Sequence, residues 1–560
     1  MRRPHPLPLL LTLVQGALSL ATLWPGTASG QATTNVSVHD LAYRHVERLV
    51  AEGLIDTVHI GQRPYSRREV ARLAGEAERN LPRLESRAAD TTLTAAARAA
   101  FARRLDRARA LLGVLRAEYG TDGHAGTRLL ESAAADWTWT NSPPRVVPSD
   151  DLGGINAVTN PLVEYRLGRR YVDGGNLAIE TTHRLRLLPV LAAAARVRTW
   201  TGWAEPGDSG GHRLTAEALY GQLALRNLLV QVGRDHVFYG QGMRASLSVS
   251  GNAPALDMVK LASDLPFRLP WVFRALGPTR ASFFIADLGD RQNFPGAKLT
   301  GYKFSFLPSA RAELGVSVLN QMGGRGAPAA SFGDRLLDLI PIIDPLFIGN
   351  RDIQISNKFA GMDLRVRFPA ARGLEWYVDG MLDDFDHRRI WGSFRDDAGW
   401  ITGISMPRLT SDGRLQLSAE VQRTGLRYYQ HVQFSSGVTL DNRIIGNALG
   451  AKANAGYARL TWDRGATSSL SLEGAYERRS SDRYRVLVDD AEDNGWRFER
   501  LESRPKESRA RVVLSWSSEL SSTRPRVLAE LGYERVGNFA FVSGQQRDNL
   551  LARVGLERRF

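Results

Sequence analysis

The 560-residue chain contains no cysteine. Disulfides, thiolate metal sites and cysteine nucleophiles are therefore excluded. It also has very little lysine: Lys260, Lys298, Lys303, Lys358, Lys452 and Lys506 are all there is among 73 basic residues, so 67 are arginine. Beyond the first thirty residues, no apolar run reaches the ~20 residues that a helical membrane span requires. If this chain crosses a membrane, it does so without helices.

The N-terminus reads as an address. Arg2 and Arg3 precede an apolar stretch from about Leu7 to Leu23, followed by the small residues Thr27-Ala28-Ser29-Gly30. This is the layout of a secretory signal peptide, residues 1–32, cut after Gly30 or Ala32. Pro6, Pro8 and Gln15 argue against an anchoring helix. The formal net charge of +14 would attract acidic polymers. Export excludes nucleic acid, leaving acidic polysaccharide or lipopolysaccharide phosphate as partners suited to the compartment.

Residues 36–120 read as a helical periplasmic module. Leu41, Val46, Leu49 and Val50 fall at helical spacing, and Gly53 is placed to end that helix. Ser66 and Glu69 form a capping box at the start of a second helix. A third, from about Thr94 to Tyr119, is rich in alanine, leucine and arginine.

From residue 125 onward the periodicity becomes two. Leu550, Ala552, Val554, Leu556 and Phe560 share one parity; Arg553, Gly555, Glu557 and Arg559 share the other. The same alternation recurs at 415–422, 458–463, 469–477 and 511–517. A soluble sandwich would alternate equally well, but the connections differ in length. Counting back from Phe560, long and short connections alternate: 478–507 long, 464–467 short, 425–455 long, 410–414 short, 383–399 long, 369–373 short, 321–357 long, 308–311 short. That is the asymmetry of an outer-membrane barrel with long outer loops and short periplasmic turns. The fold class expected is mainly β: a transmembrane antiparallel up-and-down barrel of about 18 strands over 125–560, counted from residue 155. Residues 128–140 are a possible further strand, and 190–200 breaks the alternation and could be helical. Strong alternation ending on an aromatic residue resembles the closing strand of bacterial outer-membrane barrels, which implies insertion by the barrel-assembly machinery.

One stretch stands apart: Gly233-Arg234-Asp235-His236, Tyr239-Gly240, then Ser250 and Asn252. It is expected to leave the outer end of a strand and enter a long outer connection, about 238–270. This pattern resembles the capsule assembly Wzi family, with Leu299-Thr300-Gly301-Tyr302-Lys303-Phe304 and Asn350-Arg351-Asp352 as later parts. Tyr43, Gly53-Leu54-Ile55, Gly61 and Arg63-Pro64-Tyr65-Ser66-Arg67 resemble a module found before some of its barrels. The resemblance implies a barrel closed outside by loops and inside by helices, with a non-enzymatic role: holding capsular or related polysaccharide at the cell surface, as a monomer.

Read from the residues alone, Arg234, Asp235 and His236 are an internal charge pair and a hydrogen-bonded histidine packing the lumen. His236 near Ser246 or Ser248 suggests a hydrolase, but there is no Gly-x-Ser-x-Gly elbow. The acidic run Asp383–His387 lacks calcium-loop spacing. No catalytic residue, cofactor or metal is therefore assigned. Sugar contacts would use aromatic faces and forked arginines, and the outer loops offer Arg388, Arg389, Trp391 and Arg395, then Tyr428 and Tyr429, then Trp496. The rival reading is a porin for anions or sugars. The apolar loop around Leu336–Leu346 favours a plugged lumen over an open one.

Overall fold

The structure, a computed structural model, describes residues 31–120, 126–147, 155, 157–204, 210–328, 331, 333, 355–383, 390–465, 467–488, 496–519 and 525–560. The signal segment, Leu336–Leu346 and Asn350–Asp352 lie outside the described residues.

Three helices come first: α1 (Leu41–Ala51), α2 (Arg67–Ala89) and α3 (Ala95–Tyr119). Their starts follow from their caps. The side chains of Asp40, Ser66 and Thr94 accept hydrogen bonds from the backbone N–H groups of Ala42, Glu69 and Ala97, satisfying donors that the first helical turn leaves free. Gly53, at φ +74°, turns the chain out of α1. The three helices share a core of Val46, Leu49, Leu73, Ala77, Leu111 and Leu115.

Eighteen strands then close into a barrel. They are β1 (Arg128–Thr140), β2 (Gly174–Leu188), β3 (Leu191–Ala204), β4 (Gly211–Leu225), β5 (Leu228–Asp235), β6 (Leu256–Ser263), β7 (Pro278–Asp287), β8 (Lys298–Ser309) and β9 (Ala312–Met322). The second half is β10 (Ser356–Phe368), β11 (Leu374–Asp383), β12 (Ala398–Met406), β13 (Leu415–Thr424), β14 (Ala453–Asp463), β15 (Ser468–Arg479), β16 (Glu507–Glu519), β17 (Arg526–Gly537) and β18 (Gln546–Arg559). Each pairs antiparallel with its neighbour, and β1 also pairs with β18, Trp137 opposite Val554, to make the seam.

The number eighteen stands, but its make-up differs from the sequence reading. Residues 128–140 are the first strand. Residues 191–200 belong to β3 and Val190 to the turn before it, so 190–200 is not helical. The outer connection after β5 is also shorter than the expected 238–270, because 256–263 is a descending strand. Pro266 to Trp271 thus lie at the periplasmic end.

The polarity of the wall is inverted relative to a soluble protein. Leu550, Val554 and Leu556 of β18 face outward and are exposed, as are Trp137, Ile179, Met362, Leu472, Val512 and Leu531. Their neighbours of opposite parity, such as Glu473, Glu477, Arg509, Arg511 and Glu534, are buried inside the barrel. An apolar belt outside and charged groups inside suit a wall bathed in lipid. No described helix is long and apolar enough to cross a membrane.

Candidate functional site

The helical module fills the periplasmic half of the lumen and is tied to the wall by arginines. Arg48 pairs with Asp463 at 2.5 Å, Arg67 with Glu131 at 2.9 Å, and Arg68 with Asp264 at 3.0 Å. Arg107 donates to the carbonyls of Gly413 and Asp412 at 2.6 and 2.8 Å. All these partners sit at the periplasmic ends of strands or in periplasmic turns.

From the other side, the outer loops fold inward. The loop after β5 descends far enough to meet the module: Phe238 and Tyr239 pair antiparallel with Arg63 and Gln62. Gly240 N–H donates to the Gly61 carbonyl at 2.9 Å. Glu313 of β9 accepts from the N–H groups of Ile60 and Gly61, both at 2.9 Å. A side chain at Gly61 would collide with Gln241, whose nitrogen lies 2.3 Å from the Cβ position. Inner module and outer loop therefore join in one small sheet across the middle of the lumen.

Of the motif singled out in the sequence, Tyr239 and Gly240 sit in this junction, and the rest lie around it. Gly233 has φ +127°, with the Leu219 carbonyl 2.3 Å from where a Cβ would be. The Tyr239 hydroxyl meets Ser282. Ser250 Oγ donates to the Gly446 carbonyl at 2.6 Å, and Asn252 Nδ2 to that of Ile444 at 2.8 Å. These two residues stitch the loop after β5 to the loop after β13.

Arg234 and Asp235 do not form the internal pair expected of them. Arg234 instead reaches Asp257 on the neighbouring strand at 2.5 Å, at the outer rim of the barrel. Asp235 points inward and accepts from Asn35 Nδ2 at 2.8 Å. His236 is buried, and burial together with the guanidiniums of Arg196 and Arg169 pushes its pKa down to about 3. Ser246 Oγ donates instead to the Tyr239 carbonyl, so no Ser–His couple forms.

The proposed sugar contacts are placed very differently from one another. Tyr428 and Tyr429 are fully buried inside the loop cap, where Tyr429 N–H donates to Asp383 at 2.9 Å and its ring stacks on Phe359. Their faces are spent on packing and are not open to a ligand from outside. Trp391, on the short outer helix Ile390–Asp396, is 85% exposed. Arg395 beside it pairs with Asp396 at 2.9 Å. Trp496 lies in the outer hairpin strand Trp496–Glu502. Arg388 and Arg389 lie outside the described residues.

Sequence reasoning missed a group of arginines at the outer mouth. A cavity of about 670 Å³ opens there, lined by Arg169, Arg170, Tyr171, Arg198, Trp200 and Arg443 among others. A second cavity, about 350 Å³, lies toward the periplasm and shares Arg169 and Arg198 with the first. The residues come from two loops and one strand, so no local spacing announces them.

With barrel, inner plug and outer cap described, comparison with known proteins is decisive for the family. The family model for capsule assembly protein Wzi matches residues 156–551. The chain belongs to the Wzi family.

A solved Wzi structure from Escherichia coli, described as an outer-membrane carbohydrate-binding β-barrel involved in group 1 capsule assembly, superposes with a TM-score of 0.61. It covers 94% of this chain and 100% of that one at 16% identity, a likeness of fold. The OprD structure from Pseudomonas aeruginosa reaches a TM-score of 0.41, covering 78% of this chain and 96% of that one at 8% identity. Among curated sequences, an uncharacterised 55.8 kDa protein from the cps region of Klebsiella pneumoniae is 27% identical over 173 residues, 30% of this chain. The match spans 32% of that relative's length. This Wzi-family protein is an outer-membrane β-barrel.

Proposed function

We propose that the protein binds or anchors capsular or related surface polysaccharide at the cell surface, as a monomer and without catalysis or cofactor. The observation that carries this reading is the junction at mid-lumen. There the ladder between Gln62-Arg63 and Phe238-Tyr239 joins the plug to the cap, which serves an attachment surface and obstructs a conduit. The arginine-lined cavity facing outward adds a place for acidic polymer. Lipopolysaccharide phosphate is a second partner of the same charge, and the barrel-assembly machinery would insert the chain after signal-peptide cleavage.

The rival reading, an anion or sugar porin, draws on the arginine-rich lumen. Single-channel recording separates the two. The purified protein, inserted in a planar bilayer, is expected to show no steady conductance. Open channels of nanosiemens size would overturn the attachment reading. Cells carrying a deletion are expected to shed polysaccharide into the medium while making normal amounts of it.

A further inference from the structure

The outer-mouth cavity carries more positive charge than its own carboxylates neutralise. Five acidic residues line it, and each already faces a cation. Glu217 lies 3.7 Å from Arg169, Asp257 2.5 Å from Arg234, Asp290 3.1 Å from Arg325, and Asp441 2.8 Å from Arg291; Asp287 meets Lys298. Three lining arginines remain without a carboxylate within 4.0 Å among the described residues: Arg170, Arg198 and Arg443.

Their surroundings are built. Arg198 projects inward from β3, is only 5% exposed, and makes no hydrogen bond or ion pair with a described residue. Arg170 stacks over the Trp200 ring at 5.6 Å. Trp200 is itself held by its indole N–H donating to Asn176 Oδ1 at 3.2 Å. Arg443 donates from one nitrogen to the Arg169 carbonyl at 3.2 Å, which fixes its position and leaves its other donors free. Arg170 is exposed at the mouth and Arg443 half-buried, while Arg198 is the buried one; a buried guanidinium without a counter-ion is costly, and a protein keeps one where an anion repays it.

We infer that Arg170, Arg198 and Arg443 form a binding site for the carboxylate of an acidic sugar unit, such as a uronate, entering from outside. The inference rests on the attachment reading above and deepens it. Forked guanidiniums match a carboxylate in two parallel hydrogen bonds. The volume falls within the roughly 300–1,000 Å³ typical of small-molecule sites, so the site takes one or a few units of a chain whose remainder stays outside. Phosphate on a sugar offers related acceptors, and the test separates the two.

The full chain in detergent is titrated calorimetrically with oligogalacturonate, with phosphorylated maltoheptaose and with neutral maltoheptaose. Oligogalacturonate is expected to bind and neutral maltoheptaose not to bind. Arg170→Gln and Arg443→Gln are each expected to weaken oligogalacturonate by about tenfold or more, the loss of one charge-assisted contact, and Arg198→Lys to weaken it less than Arg198→Gln. Heat-modifiable migration on SDS gels confirms that each variant is folded. Tighter binding of the phosphorylated probe, lost in the same variants, overturns the carboxylate assignment. Undiminished binding in all variants, equal binding of the neutral probe, or no binding by the wild type overturns the site. The capsule-attachment reading stands or falls separately, on polysaccharide release from cells.

Discussion

Glu164, from the loop between β1 and β2, and Arg511, from the inner wall of β16, meet at 3.1 Å with both side chains almost wholly buried. Arg511 also binds Glu477 on the adjacent strand. The outer loop is thus fastened to the wall by a guanidinium that serves two carboxylates. Next to this clamp, the Tyr165 hydroxyl donates to Asn447 Oδ1 at 2.8 Å, and Leu167 N–H donates to the Gly251 carbonyl at 2.7 Å.

The clamp predicts unequal mutants. Glu164→Gln leaves Arg511 with Glu477 and is expected to cost about 1–3 kcal/mol. Arg511→Gln leaves two buried carboxylates facing each other, with a cost of about 3–5 kcal/mol. Thermal loss of heat-modifiable migration measures both. Equal midpoints for the two variants would refute a shared clamp.

Glu313 is expected to hold plug and wall together. Glu313→Ala strips the acceptors from two buried N–H groups, those of Ile60 and Gly61, at about 1–3 kcal/mol for each. Trypsin should then cut the module faster than in the wild type while the barrel stays resistant. An unchanged cleavage rate would remove Glu313 from that role.

Gly240 is expected to tolerate no side chain. Its φ of +143° disfavours any L-residue, and a Cβ would lie 2.3 Å from Ser246 Oγ and 2.4 Å from Asp379 Oδ2. Gly240→Ala should therefore part the loop from the module. In bilayers this variant is expected to show intermittent conductance, and a silent, stable variant would contradict the prediction.

Acid is expected to loosen the module. Burial pushes the pKa of His45 down to about 4, against the pull of Asp40, and that of His59 to about 3. Both rings are neutral when folded and titrate near 6.5 when unfolded, so the unfolded state binds more protons below that pH. Their contribution is complete above about pH 6.5 and is lost as pH falls toward the folded values, about 2–3 kcal/mol for His45 by pH 4.5. Thermal unfolding of the module between pH 7.5 and 4.5 should follow this slope, and His45→Gln should flatten it.

Most of the barrel was legible because lipid and water impose opposite demands on alternate residues. Where the alternation faded, the lumen was not wet. Ala192 of β3 and Ala224 and Leu229 of β4 and β5 pack on Ala32 of the N-terminal segment, so apolar residues occur on both faces and 190–200 no longer read as a strand. The same holds for β6, where Leu256 and Met258 turn inward to the core of the cap. The helix caps Ser66 and Thr94 were readable since capping is local chemistry. The burial of Tyr428 and Tyr429 was not, because it depends on Asp383 and Leu247 from distant strands and loops. Arg170, Arg198 and Arg443 are brought together only by closure of the barrel and infolding of two loops.

That closure couples the seam to the plug. β18 zips onto β1, and β1 begins at Arg128, shortly after α3 ends at Tyr119. Arg559, near the end of β18, binds Asp40 at 2.8 Å and also Glu118, so the final strand completes the seam and grips the module together. A cylinder closed while empty would leave Arg559 without these two carboxylates until the helices entered. Seam and plug thus share one clasp, so a change that loosens Arg559 is felt by the last strand and by the helices at once.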